Sequence, residues 1–132
     1  MTLRADIIYQ GKVGEGSYPC QSQKKGTSGY VVMLECDDGN TEFTIWLTPK
    51  NKENAKMYFE ILGVDFEKMK SATYIAMQLA HDIAGKDIAF QTKSETWNDK
   101  TRVKVDRLML PSQGDPAKDV AAFFGGEDDI TF

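Results

Sequence analysis

Two tryptophans raise the first chemical question. Trp46 sits in the stretch TEFTIWL (41–47), between Thr44 and Thr48, and Trp97 closes the stretch KDIAFQTKSETW (86–97). Side chains of a strand alternate between its faces, so Trp46 points away from Phe43, Ile45 and Leu47 and stands on a polar face. By the same parity, Ile88, Phe90, Val103 and Val105 take the inner face of the last two strands. Lys93, Trp97, Arg102 and Lys104 then share the outer one. An indole flanked by cations suits a single nucleic-acid strand. Cations follow phosphates, and a stacked base contributes roughly 1–3 kcal/mol whatever its identity.

Each feature also has a plainer explanation. Trp46 is either a stacking platform or a ring covered by the helix at 50–62 or by a loop. The outer face at 93–104 is either a binding surface or a solvated strand pair with a Glu95–Arg102 bridge, which contributes little by itself. A third candidate is the Gly-, Ser- and Lys-rich stretch GEGSYPCQSQKKGTS (14–28), read as a loop carrying Tyr18, Lys24 and Lys25.

Catalytic chemistry has little support. There is no P-loop, GxSxG or HExxH pattern, and the lone His81 reads as an ordinary helix residue. Asp37 and Asp38 are explained by a hairpin turn, and the six methionines by core filling. Cys20 and Cys36 read as free thiols, since no CxxC pair exists to bind zinc. The expectation is a protein that is not an enzyme and needs no cofactor or metal.

The elements that must position these residues follow from periodicity. Strands are expected at 5–13, 29–36, 41–47, 86–97 and 102–110, with NDKT joining the last two. DDGN (37–40) predicts a hairpin with a type I′ turn at Asp38-Gly39, pairing Phe43 with Leu34 and Ile45 with Val32. Thr48 as N-cap and Pro49 in the first turn predict a helix with Ala55, Tyr58, Phe59 and Leu62 on its inner stripe, ended by Gly63. A second helix over 71–85 places Ala72, Ile75, Ala76, Leu79 and Ile83 on one face, and Gly85 stops it. Three strands, a helical segment and two strands match the order of a mainly β OB-fold, a five-stranded Greek-key barrel with a helical insert between its third and fourth strands. The alternative is another small α+β domain with a helix on one side of a meander. In a barrel of this kind the loop joining the first two strands is one wall of the binding cleft.

The charge is unevenly distributed. The 132 residues carry a net charge of −4, and all of it falls in 111–132, where Asp115, Asp119, Glu127, Asp128 and Asp129 face only Lys118. A body, 1–110, that is neutral overall can still carry a basic groove. Residues 111–132, opened by Pro111, Gly114 and Pro116, read as a flexible acidic tail. The chain has no apolar run of the roughly 20 residues a membrane helix needs, and MTLRADIIYQ does not resemble a signal peptide, so a cytoplasmic location is expected.

The final stretch, GGEDDITF, joins three carboxylates to Ile130, Thr131 and Phe132. After an OB-like strand order and a glycine-containing linker, this ending resembles that of bacterial and bacteriophage single-stranded DNA-binding proteins. Their tails end in several acids and an Ile-Pro-Phe-like tip. Asp128, Asp129, Ile130 and Phe132 match, and Thr131 stands where the proline would be. The short length and large helical insert (50–85) look more like a phage-encoded version, placed in the cytoplasm of a bacterial host. They point to a monomer or dimer rather than a tetramer. The resemblance implies a non-catalytic protein of replication, recombination or repair that coats single-stranded DNA without sequence preference. It implies that Glu127, Asp128, Asp129, Ile130 and Phe132 dock partner proteins, with the acids competing for the DNA groove. A protein-only adaptor and an RNA-binding OB module remain the alternatives.

Overall fold

The computed structural model describes residues 3–111 together with Val120, Phe123 and Phe124. The docking role expected of Glu127, Asp128, Asp129, Ile130 and Phe132 falls outside the described residues. Among the described residues there are six strands: β1 (Ile8–Val13), β2 (Tyr18–Gln21), β3 (Ser28–Cys36), β4 (Gly39–Trp46), β5 (Asp87–Trp97) and β6 (Lys100–Met109). They count as five, because β1 and β2 both run antiparallel to β3 and form one interrupted first strand. At the interruption Gly14 N–H donates to the Met33 carbonyl at 2.7 Å, and Met33 N–H donates to the buried Ser17 hydroxyl at 3.0 Å. The polar backbone at the break is thus satisfied by one residue of β3.

β1 pairs with β5, β5 with β6, and β3 with β4. The remaining side is closed by β4 lying beside β6, within 8 Å between Cα atoms, without a hydrogen-bonded register among the described residues. This connectivity, with the helices between β4 and β5, is that of the OB barrel. Its core is built on Val32, Leu34, Ile45, Ile88, Phe90 and Leu108. The helical insert caps it through Ala55, Tyr58, Phe59, Leu62, Leu79 and Ile83.

Several expectations are corrected. The stretch 14–28 is not all loop, since Tyr18–Gln21 is a strand and the loop shrinks to 22–27. Pro19 argues against a strand by sequence. It is tolerated here because β2 pairs only with β3, on a sheet edge that does not need its missing N–H. The first hairpin turns at Asp37-Asp38 rather than Asp38-Gly39, so Phe43 faces Val32 and Ile45 faces Tyr30. Neither aspartate takes a positive φ, which a type I′ turn demands of both central residues. Gly39 does, at 142°, where the partner strand begins. A shift of two leaves every side chain on its expected face.

The primed geometry occurs instead in the second hairpin, at Asn98 (φ 49°) and Asp99 (φ 61°). It is a two-residue turn, not the four-residue NDKT loop, and it pairs Trp97 with Lys100. The first strand begins at Ile8 rather than residue 5. Thr48 caps as expected, accepting from Asn51 N–H at 3.2 Å, and α1 (Lys52–Ile61) follows a short 3-10 turn. The second helix is broken at Gln78, whose φ of −126° divides α2 (Ala72–Met77) from α3 (Leu79–Ile83). The break leaves Ala72 and Ala76 exposed, whereas Leu79 and Ile83 are buried. Among the described residues, no helix is long and apolar enough to cross a membrane.

Candidate nucleic-acid interface

An open groove of about 660 Å³ lies along the seam between β4 and β6. Four segments build it. The loop after β2 contributes Ser22, Lys25 and Thr27; β4 contributes Phe43, Thr44 and Trp46; the entry to α1 contributes Thr48, Asn51 and Asn54. Asp106 of β6 lines it as well.

Trp46 is held in this groove rather than covered. Its residue is 38% exposed. Register places Cys20, Gly29 and Trp46 in one row across β2, β3 and β4. The indole lies against Gly29, where a Cβ would come within 2.9 Å of Trp46 Cε3 and 3.0 Å of the Ile45 carbonyl. Asn51 Nδ2 donates to the Trp46 carbonyl at 2.8 Å, which ties the end of β4 to the start of the helix. Tyr18, Val31 and Thr44 form the neighbouring row on the same face, and Tyr18 is 48% exposed. Two strand spacings and two residues along a strand separate Tyr18 from Trp46, about 12 Å between Cα atoms.

The basic track begins where the groove ends. Between the Gln91–Arg107 and Thr92–Val105 pairs, Asp106 is an extra residue without a partner in the register. This bulge brings both Val105 and Leu108 inside and turns Asp106 out. Lys93 Nζ lies 3.1 Å from Asp106 Oδ1, so the track abuts the groove. Lys104 stands opposite Lys93 and reaches Glu95 Oε2 at 2.9 Å; Arg102 approaches the same oxygen at 3.7 Å. The bond from Lys104 holds the Glu95 carboxyl below its ordinary range, with Lys104, Arg102 and Lys93 adding to the effect. Trp97 ends the track at the hairpin tip, 72% exposed.

The expected cations are therefore present on one outer face, but Lys93, Arg102 and Lys104 are each matched by a carboxylate. These pairs are partly open to solvent, where screening weakens an ion pair, so a phosphate can compete for the cations. Lys24 and Lys25 stand exposed in the loop, and of the two only Lys25 lines the groove.

Sequence reasoning missed Asn51 and Asn54, although the Thr48 cap signal already set the helix entry two residues from Trp46. It also missed Lys100, which a two-residue turn places opposite Trp97. Among the described residues, no cluster of His, Cys, Asp and Glu has the makings of a metal site.

No protein-family model and no curated protein matches the sequence. Among solved structures, yeast RPA bound to ssDNA is similar to the chain with a TM-score of 0.44 and 13% identity, covering 93% of this chain and 85% of that one. The strand connectivity, rather than that likeness, assigns the barrel.

Proposed function

We propose that the protein binds single-stranded DNA with weak sequence preference. The observation that supports this most is the continuity of one surface: a groove holding Trp46, a run of cations through Lys93, Lys104 and Arg102, and a second indole at Trp97. Stacking ignores base identity, and phosphate contacts ignore sequence. The surface offers both without a reading edge for a base pair. Residues 127–132, with their acids and Phe132, are proposed to recruit replication or recombination proteins and to compete with DNA for the groove.

One observation favours a second reading, a protein-only adaptor. Glu95 and Asp106 neutralise much of the basic track in the free protein. A gel-shift titration with single-stranded DNA, duplex DNA and RNA at two salt concentrations separates the readings. Binding to single strands that weakens with salt supports DNA coating. No shift with any nucleic acid supports the adaptor, and preference for RNA supports the RNA-binding module.

A further inference from the structure

A second groove, of about 870 Å³, opens between the β2–β3 hairpin and the helical insert. Pro19, Leu47, Phe59, Phe66, Met69 and Ile75 give it an apolar wall, and Leu47 and Phe66 are half exposed there. Tyr30 adds its ring, and its buried hydroxyl has no hydrogen-bond partner among the described residues. Among the described residues the two grooves share no lining residue, but they adjoin at Gly29, which lines this one and against which the Trp46 indole lies. Its lining is mostly apolar, so an apolar segment is the chemistry that it suits.

The same chain carries a matching apolar element that stands exposed among the described residues. Val120, Phe123 and Phe124 are exposed, the two phenylalanines by 83% and 69%, with their rings edge to face at 5.3 Å. Their spacing of i, i+3 and i+4 gathers them on one side of a helical turn. We propose that segment 120–124 docks in the apolar groove of its own chain.

Three observations favour this occupant. The first is reach: residues 112–119 join Pro111 to Val120, a tether that spans at most about 30 Å, against a radius of gyration of about 13 Å for a body of this size. The second is local concentration, which a short tether raises to about millimolar, so binding within the chain outcompetes binding between dilute copies. The third is charge. Lys56 lines the groove, and Lys52 lies one turn away on α1, while Glu127, Asp128 and Asp129 follow the docked segment. Seating the aromatic pair would bring those acids to a basic rim. Docking would thereby fix the point from which residues 127–132 leave the body, independently of whether the protein binds nucleic acid.

Cys20 lines the groove and serves as a reporter. In the full chain, Cys36→Ser and Gly125→Cys leave one thiol in the groove and one beside Phe124. Mild oxidation is expected to give a disulfide within single chains, lost when Phe123→Ala and Phe124→Ala are added. A bond between two chains, or a bond formed equally well without the phenylalanines, would overturn docking in cis. A parallel measurement avoids dependence on disulfide geometry. Methyl NMR signals of Met69 and Ile75 should shift between the wild-type full chain and its Phe123→Ala/Phe124→Ala variant. Unchanged methyl signals would overturn the proposal even if the cysteines fail to join.

Discussion

Trp46 and Trp97 have the same rank by sequence, since strand alternation turns both outward. The fold treats them differently. Trp46 lies against Gly29, is fixed at its carbonyl by Asn51 and opens into a groove. Trp97 stands on a two-residue turn, 72% exposed, with Lys100 opposite. One ring is positioned before any ligand arrives, whereas the other must be ordered as the ligand binds. Immobilising a side chain costs roughly 0.5–1.5 kcal/mol, which offsets part of what a stacked base contributes. Trp46 should therefore carry the larger share of binding, with Trp97 extending the track.

The largest expected effect comes from Trp46→Ala, a loss of roughly 1–3 kcal/mol of affinity for oligothymidine. Trp97→Ala should cost less than Trp46→Ala in the same titration. Equal losses would mean that the seat of Trp46 gives no advantage; a larger loss at Trp97 would invert the comparison.

Gly29→Ala tests the seat itself. A Cβ there meets the indole at 2.9 Å and the Ile45 carbonyl at 3.0 Å, so the ring must move, and the fold of the variant is checked alongside its affinity. Affinity should fall toward that of Trp46→Ala, and adding Gly29→Ala to Trp46→Ala should change affinity little further. Independent, additive losses would show that Gly29 does not act through the ring.

A smaller effect of opposite sign is expected at Glu95. Its carboxyl titrates below the ordinary glutamate range because Lys104 donates to it, so it is ionised at neutral pH and occupies Lys104 and Arg102. Glu95→Gln should strengthen DNA binding at low salt and raise the salt dependence. Lowering the pH through the depressed pKa should do the same to the wild type. The stability that the pairing contributes is present above the unfolded-state pKa and is lost as pH falls through the folded one. Binding should therefore be compared only where circular dichroism shows the chain still folded.

The smallest effect comes from deleting residues 127–132, which removes three acids. Binding should tighten at low salt and change little at high salt, where screening is strong. No change at any salt would separate the acids from the groove.

The parts of this arrangement that depend on parity and periodicity were legible in the sequence. The inner stripe of α1, the burial of Ile88 and Phe90, and the outward turn of Trp46, Lys93, Trp97, Arg102 and Lys104 all follow from alternation or helical spacing. What depends on backbone detail was not. Pro19 hid the second half of the first strand, because only the sheet edge makes a proline harmless there. The Asp38-Gly39 step suggested a primed turn that the chain places at Asn98-Asp99 instead. The bulge at Asp106 has no sequence signature, yet it links the groove to the basic track. The pairing of each track cation with Glu95 or Asp106 depends on that same local geometry.

The most direct measurement uses a full chain carrying Trp97→Phe, so that Trp46 is the only tryptophan. Its fluorescence is followed while oligothymidine is added at low and moderate salt. Saturable quenching at low salt, with affinity falling as salt rises, is the expected result. Unchanged Trp46 fluorescence in a chain that still shifts single-stranded DNA in a gel would place the stacking surface elsewhere. Unchanged fluorescence with no gel shift would contradict DNA binding itself.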